Sequence, residues 1–201
     1  HIRGALFLKL ILPSSSKDDI AFTVQPIAHI MGYTLTLSRF AMGVPFVHLE
    51  RFEPDKVMRT IQENKVTSFI GVPAMYAMML KAGPEKYDLS SVKQWVCGSD
   101  ILPPEHRETF RKLGSRTRFG RKQPASFVEG YGLAETSSVC TFKPALSITS
   151  EAGCLGWPVP GIKLRVVGED GKKAKKGKVG ELWIKGPNVM LGYYKLPQET
   201  K

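Results

Sequence analysis

Short apolar, β-branched stretches alternate along most of the chain with segments that open on proline, and this alternation leaves few folds available. Residues 19–24, 44–49, 66–70, 92–97 and 126–129 read as strands. Between them, residues 26–40 are apolar enough for a packed helix. Glu53-Pro54-Asp55 starts another, with Pro54 at its first position and Val57 and Ile61 on one face. Pro73 opens a helix that runs to Ala82 and stops at Gly83-Pro84. Pro103-Pro104-Glu105 opens one that ends at Leu113-Gly114. Strand–helix alternation of this kind predicts an α/β fold, a parallel sheet flanked by helices. Ligands of such sheets bind in loops at the carboxyl ends of the strands. Two loops qualify, one after Cys97 and one after Glu129.

The pattern changes after about residue 150. Residues 163–167 and 181–185 alternate polar and apolar side chains, and Asp170-Gly171 is a turn signal. These residues predict a β-hairpin, or two strands of a small antiparallel β (partial barrel) region. The expected division is an α/β subdomain over 1–150 and a β subdomain over 151–201, with the boundary between 145 and 155. Residues 1–12 read as an apolar helix. Lys9 interrupts that run and the sequence opens on His1, so a helix of a longer protein is expected rather than a secretory leader.

Charge and cysteine usage narrow the classes. The 201 residues carry 29 Lys and Arg against 18 Asp and Glu, a formal net charge of +11. Such a charge attracts polyanions without choosing among them. The densest runs are residues 172–178, expected in the hairpin connection, and Arg116, Arg118, Arg121 and Lys122, expected in a loop before the strand at Ser126. Either could meet the phosphates of an anionic ligand or a membrane surface in peripheral contact. Neither has the interleaved aromatics of a single-strand nucleic-acid platform, so no nucleic-acid partner is expected. No apolar run approaches the roughly 18 residues of a membrane-crossing helix. Cys97, Cys140 and Cys154 match no zinc spacing and, being odd in number, no disulfide framework, which points to a reducing, cytoplasmic location.

The segment Glu129-Gly130-Tyr131-Gly132-Leu133-Ala134-Glu135-Thr136 concentrates chemistry. Its glycines admit a ligand to the backbone, Tyr131 offers a stacking ring, and Glu135 is a hard carboxylate suited to Mg²⁺ beside phosphate. Thr136, Ser137 and Ser138 add hydroxyls at what reads as a helix N-terminus. By itself the segment could equally be a tight turn with a half-buried tyrosine and a solvated glutamate.

That segment resembles the Tyr-Gly-x-Thr-Glu motif of adenylate-forming enzymes: acyl- and aryl-CoA ligases, luciferases and peptide-synthetase adenylation domains. Companion motifs follow the family's order. Pro26-Ile27-Ala28-His29-Ile30-Met31-Gly32 is similar to a Pro-x-x-His-x-x-Gly stretch that lines the acyl pocket, and Gly71-Val72-Pro73 to a nearby Val-Pro turn. Gly98-Ser99-Asp100-Ile101-Leu102-Pro103 resembles the glycine-rich segment behind the adenine. Gly180-Glu181-Leu182-Trp183-Ile184-Lys185-Gly186, continuing through Gly192-Tyr193-Tyr194 to Pro197 and Thr200, resembles a further family motif.

The resemblance implies roles. Gly98, Ser99, Asp100, Gly130, Tyr131, Gly132 and Ala134 would bind nucleotide, with the Tyr131 ring on the base. Glu135 would be catalytic as the Mg²⁺ ligand. His29, Gly71 and Val72 would border the acyl group. The implied substrates are ATP, a carboxylic acid and coenzyme A. Residues 186–194 look most like fatty acyl-CoA ligases, which favours a fatty acid; the alternative is a non-catalytic binding or scaffolding module of the same fold. Two departures matter: Ala134 stands where the family usually has a hydroxyl facing phosphate, and Ser99 and Asp100 replace small apolar residues. The resemblance also implies an internal stretch of a longer ligase, inactive alone, because the phosphate loop, the ribose-binding Asp and the catalytic-lysine domain have no counterpart in it. Surface that a partner domain would cover is expected to favour a homodimer.

Overall fold

A computed structural model describes residues 18–143 and 153–200. The helix expected over 1–12 lies outside the described residues, as does most of the boundary expected at 145–155. Elements follow in the order β1 (Ala21–Thr23), α1 (Ile30–Met42), β2 (Phe46–His48), α2 (Pro54–Glu63), β3 (Ser68–Gly71), α3 (Pro73–Ala82), β4 (Gln94–Gly98) and α4 (Pro104–Leu113). Then come β5 (Ser115–Arg118), β6 (Arg121–Pro124), β7 (Ser126–Leu133), β8 (Ser138–Lys143), β9 (Trp157–Pro158), β10 (Lys163–Val167) and β11 (Glu181–Lys185). The main sheet has the order β2-β1-β3-β4-β7-β8-β9. Its first five strands are parallel, as expected, and β8 and β9 add antiparallel. The β10–β11 pair forms the small antiparallel sheet, with Leu164 opposite Ile184.

The parallel strands encode two surfaces on alternate residues. In register across β1, β3, β4 and β7 stand Phe22, Phe69, Trp95 and Phe127. One position on, Thr23, Ile70, Val96 and Val128 point to the opposite face, because successive strand side chains do. The aromatic face is closed by α3 and α4. Tyr76 packs edge-on against Phe69 at 5.8 Å and Trp95 at 6.2 Å, and Phe110 lies 5.0 Å from Trp95 and 4.8 Å from Tyr76. Burial disposes of the phenol too: the Tyr76 hydroxyl donates to the Val96 carbonyl at 2.8 Å. Val57, Met58 and Ile61 of α2 complete this core.

Helix α1 belongs to the other side. Its approach explains Gly32, since a Cβ there would collide with the Pro26 and Gln25 carbonyls. The Pro-x-x-His-x-x-Gly spacing therefore has a packing cause: Gly32 lets the helix turn back onto Pro26, whose carbonyl also accepts from the His29 N–H at 2.9 Å.

Three local readings are corrected. Residues 129–136 are not a free loop: Glu129 to Leu133 continue β7 and pair with β8, with a register shift between Tyr131 and Gly132. The segment after them is not a helix N-terminus but one 3-10 turn, Ala134–Thr136, that leads into β8. The basic residues 116–122 lie not in a loop but in a β5–β6 hairpin.

Candidate functional site

The open face of the sheet carries most of the predicted residues, although Glu135 lines neither of its cavities. Beyond the carboxyl ends of β4 and β7 lie two cavities, of about 250 and about 290 Å³. Cys97, Ser99, Gly130 and Tyr131 line both, so the half-buried Tyr131 stands between them. The first is the more polar of the two, with Asp100 and Glu129 alongside Ile101 and Leu155. The second is apolar, with Met31 and Leu35 from α1, Ile70, Val96 and Val128 from the sheet, and Val139 and Phe142 from β8.

The structure thus brings together Gly98, Ser99, Gly130, Tyr131, Gly132, Ala134 and His29 around the second cavity, with Asp100 on the first. Gly71 and Val72 are not among the residues lining either cavity. Gly71 ends β3 beside Cys97, buried against Phe69 and Tyr76, and Val72 caps α3. His29 is not a core histidine. It is exposed, caps α1, and its Nδ1 accepts from the Met31 N–H at 3.2 Å.

Backbone geometry shapes the first cavity. Ser99 leaves β4 with φ +76°, a conformation that favours glycine, and Asp100 steadies the turn by accepting from the Ile101 N–H at 2.7 Å. Gly132 is required by the β7–β8 closure, because a Cβ on it would run into the Ser138 carbonyl. Thr136 cannot stand in for the hydroxyl missing at Ala134. Its own hydroxyl is buried, accepts from the Leu133 N–H at 3.1 Å and donates to the Leu133 carbonyl at 3.0 Å.

Two charged arrangements were not singled out in the sequence. Glu129 Oε2 lies 3.2 Å from Arg107 Nη1 of α4 and 3.7 Å from the buried Lys143 Nζ of β8, so two cations fix the carboxylate at the cavity wall. Burial, with the Glu129 charge second, pushes the Cys97 thiol up to about 12, which keeps it an inert wall residue. The second arrangement joins the β10–β11 region to Glu135. The Tyr193 hydroxyl donates to Glu135 Oε1 at 2.6 Å, the Met190 N–H to the Glu135 carbonyl at 2.8 Å, and Asn188 Nδ2 to the Thr136 carbonyl at 2.7 Å. The Tyr193 hydrogen bond holds the Glu135 carboxyl below its ordinary value and raises the phenol in return. The pair spans 58 residues of sequence, which no local pattern reveals.

This geometry can hold a flat ring against Tyr131, an apolar chain over Ile70, Val96 and Val128, and a cation at Glu135. The model of the AMP-binding enzyme family matches residues 5–194. The chain belongs to the AMP-binding enzyme family. It is 33% identical over 181 residues to the long-chain-fatty-acid–CoA ligase of Bacillus subtilis, covering 88% of this chain and 30% of that enzyme. It is 34% identical over 203 residues to the luciferin 4-monooxygenase of Luciola mingrelica, covering 100% of this chain and 34% of that one. In fold it matches the O-succinylbenzoate coenzyme A synthetase of Bacillus subtilis, solved in complex with ATP and magnesium ion, with a TM-score of 0.80 at 23% identity over 98% of this chain and 38% of that one. The chain therefore spans about a third of the length of the curated relatives it matches.

Proposed function

We propose that this chain carries the adenine, metal and acyl contacts of an ATP-dependent acyl-CoA synthetase that takes a fatty acid. The observation that carries the reading is Tyr131 lining both cavities, the more polar one beside Asp100 and Glu129 and the more apolar one, so that a nucleotide base and an acyl chain would meet at one ring. In the reaction, the acid's carboxylate attacks the α-phosphorus of ATP, giving an acyl-adenylate and pyrophosphate; the thiol of coenzyme A then displaces AMP. Ser99, Asp100 and Gly130 border the nucleotide, and holding the two reactants in line is most of the first step. His29 borders the carboxylate end of the acyl chain.

Glu135 fits a magnesium ion. A hard carboxylate pinned by Tyr193 suits a cation that takes its remaining ligands from phosphate and water. Among the described residues no cluster of three His, Cys, Asp or Glu is placed to bind a metal, so the nucleotide would complete the site. When bound, the ion neutralises charge on the phosphates.

The fatty acid is favoured by the apolar wall of Met31, Leu35, Ile70, Val96, Val128 and Phe142, and by the Bacillus subtilis relative. One observation favours a second reading, a binding module without catalysis: Ala134 supplies no hydroxyl and that of Thr136 is spent inside its own turn. Carboxylate-dependent ATP–pyrophosphate exchange separates the two, measured in a polypeptide extended on both sides to the length of these relatives. Exchange that rises with fatty acids over aryl acids is expected. A folded protein with no exchange on any acid rejects the ligase reading.

A further inference from the structure

The β5–β6 hairpin takes no part in the site. It springs from the amino-terminal ends of the parallel strands: Ser115 N–H donates to the Val92 carbonyl just before β4, and Ser126 N–H, at the start of β7, donates to the Lys93 carbonyl. The cavities lie at the other ends of those strands, about 13 Å along β7 from Ser126 to Gly130. A role in holding coenzyme A or ATP phosphates in those cavities is thereby excluded for this patch.

Three features of the hairpin run against its own stability. Arg118 and Arg121 face each other across the ladder, and like charges directly opposite repel. Arg116 and Lys122 add to them, and no acidic partner pairs with any of the four among the described residues. Arg116 Nε is buried without a hydrogen-bond partner, and burial followed by the Arg118 and Arg111 charges lowers the guanidinium's pKa. The two-residue turn is Phe119-Gly120, both at positive φ (+51° and +72°), a turn that favours Asn-Gly and is strained with Phe. The Phe119 ring, with the Arg118 guanidinium 5.0 Å from its centroid, is 87% exposed at the tip.

We propose that this hairpin docks on an anionic bilayer surface, Phe119 entering the headgroup boundary while Arg118, Arg121 and Lys122 meet lipid phosphates and carboxylates. The charge complement explains why uncompensated cations gather around one apolar ring. Aromatic side chains settle at the headgroup level, and each basic residue near an anionic leaflet adds attraction. A duplex nucleic acid would also meet the charge, but it takes up an apolar ring only by unstacking base pairs, whereas the headgroup boundary accepts one without that cost. No described helix is long and apolar enough to cross a membrane, and the contact proposed for the hairpin is a peripheral one. The inference does not depend on which acid the site takes.

The test is co-sedimentation of the purified chain with vesicles of phosphatidylcholine containing phosphatidylserine, and with phosphatidylcholine alone. Binding to the anionic vesicles only, weakening as salt rises, is expected. Phe119→Asn should lower that binding by roughly tenfold or more while the melting temperature stays level or rises, because Asn suits the left-handed turn. Loss of binding with a gain in stability is a pattern no purely structural role produces. Arg118→Glu with Arg121→Glu should abolish binding. Equal binding to both vesicle types, binding untouched by Phe119→Asn, or retention of a DNA duplex through the same arginines without vesicle binding would overturn the proposal.

Discussion

The two faces of the parallel sheet differ by one residue along each strand and by everything in their use. Phe22 packs on Phe69, and Phe69, Trp95 and Phe127 meet Tyr76, with Phe110 against Trp95, which leaves no room for a ligand. Thr23, Ile70, Val96 and Val128 are small or aliphatic, and above the last three the chain leaves a cavity rather than a packed layer. Bulk on one face supplies the burial that holds the strands together. Restraint on the other keeps the carboxyl ends of β3, β4 and β7 open. Folding is thus written on one set of letters of these short strands and the proposed binding on the alternate set, and substitutions at adjacent positions should have unrelated consequences.

The largest expected effect is on the closed face. Trp95→Ala should lower stability by about 3–5 kcal/mol, seen as an early denaturant midpoint. Gly132→Ala, on the wall of the open face, should cost about 1–3 kcal/mol by forcing β7 from β8, and should weaken nucleotide binding besides. Val96→Ala sits next to Trp95 yet should cost only about 1 kcal/mol, since its side chain is half-buried at the cavity; its main effect should be on affinity for the acyl chain. A stability loss at Val96 matching that at Trp95 would break the division between faces. The smallest effect is expected at Tyr193→Phe. Because Glu135 has a lowered folded-state pKa, its contribution is present above the ordinary carboxylate range and lost as pH falls through the lowered value. Removing the phenol should move the Glu135 carboxyl back up, read by NMR titration, and should weaken Mg²⁺-dependent nucleotide binding with little change in melting.

Where the sequence was legible, a local cause made it so. Pro54, Pro73 and Pro104 sit at helix starts, where a proline has a fixed meaning, and α2, α3 and α4 begin where those residues predict. The motif glycines also had physical reasons that could be read only in part. Gly32 and Gly132 answer close backbone approaches made by Pro26 and Ser138, which the spacing marks but does not explain. What stayed hidden depends on distant partners. β7 runs past Glu129 because β8 pairs with it, and the β-branched and aromatic residues Val139, Thr141 and Phe142 were the available signal. The β5–β6 hairpin escaped notice because its strands are charged and its turn carries Phe where Asn is usual; Gly120 was the single clue. The hold of Tyr193 on Glu135, and of Arg107 and Lys143 on Glu129, had no local sign at all.

The most direct test is calorimetric titration of the chain with a non-hydrolysable acyl-adenylate, whose base and acyl chain would lie on either side of Tyr131. Tight binding to the parent is expected, weakened about tenfold or more by Tyr131→Ala, with a melting temperature close to the parent's because Tyr131 lies outside the aromatic core. A folded parent that does not bind the analogue, or one whose affinity ignores Tyr131→Ala, would contradict the assignment of the open face as the nucleotide and acyl site.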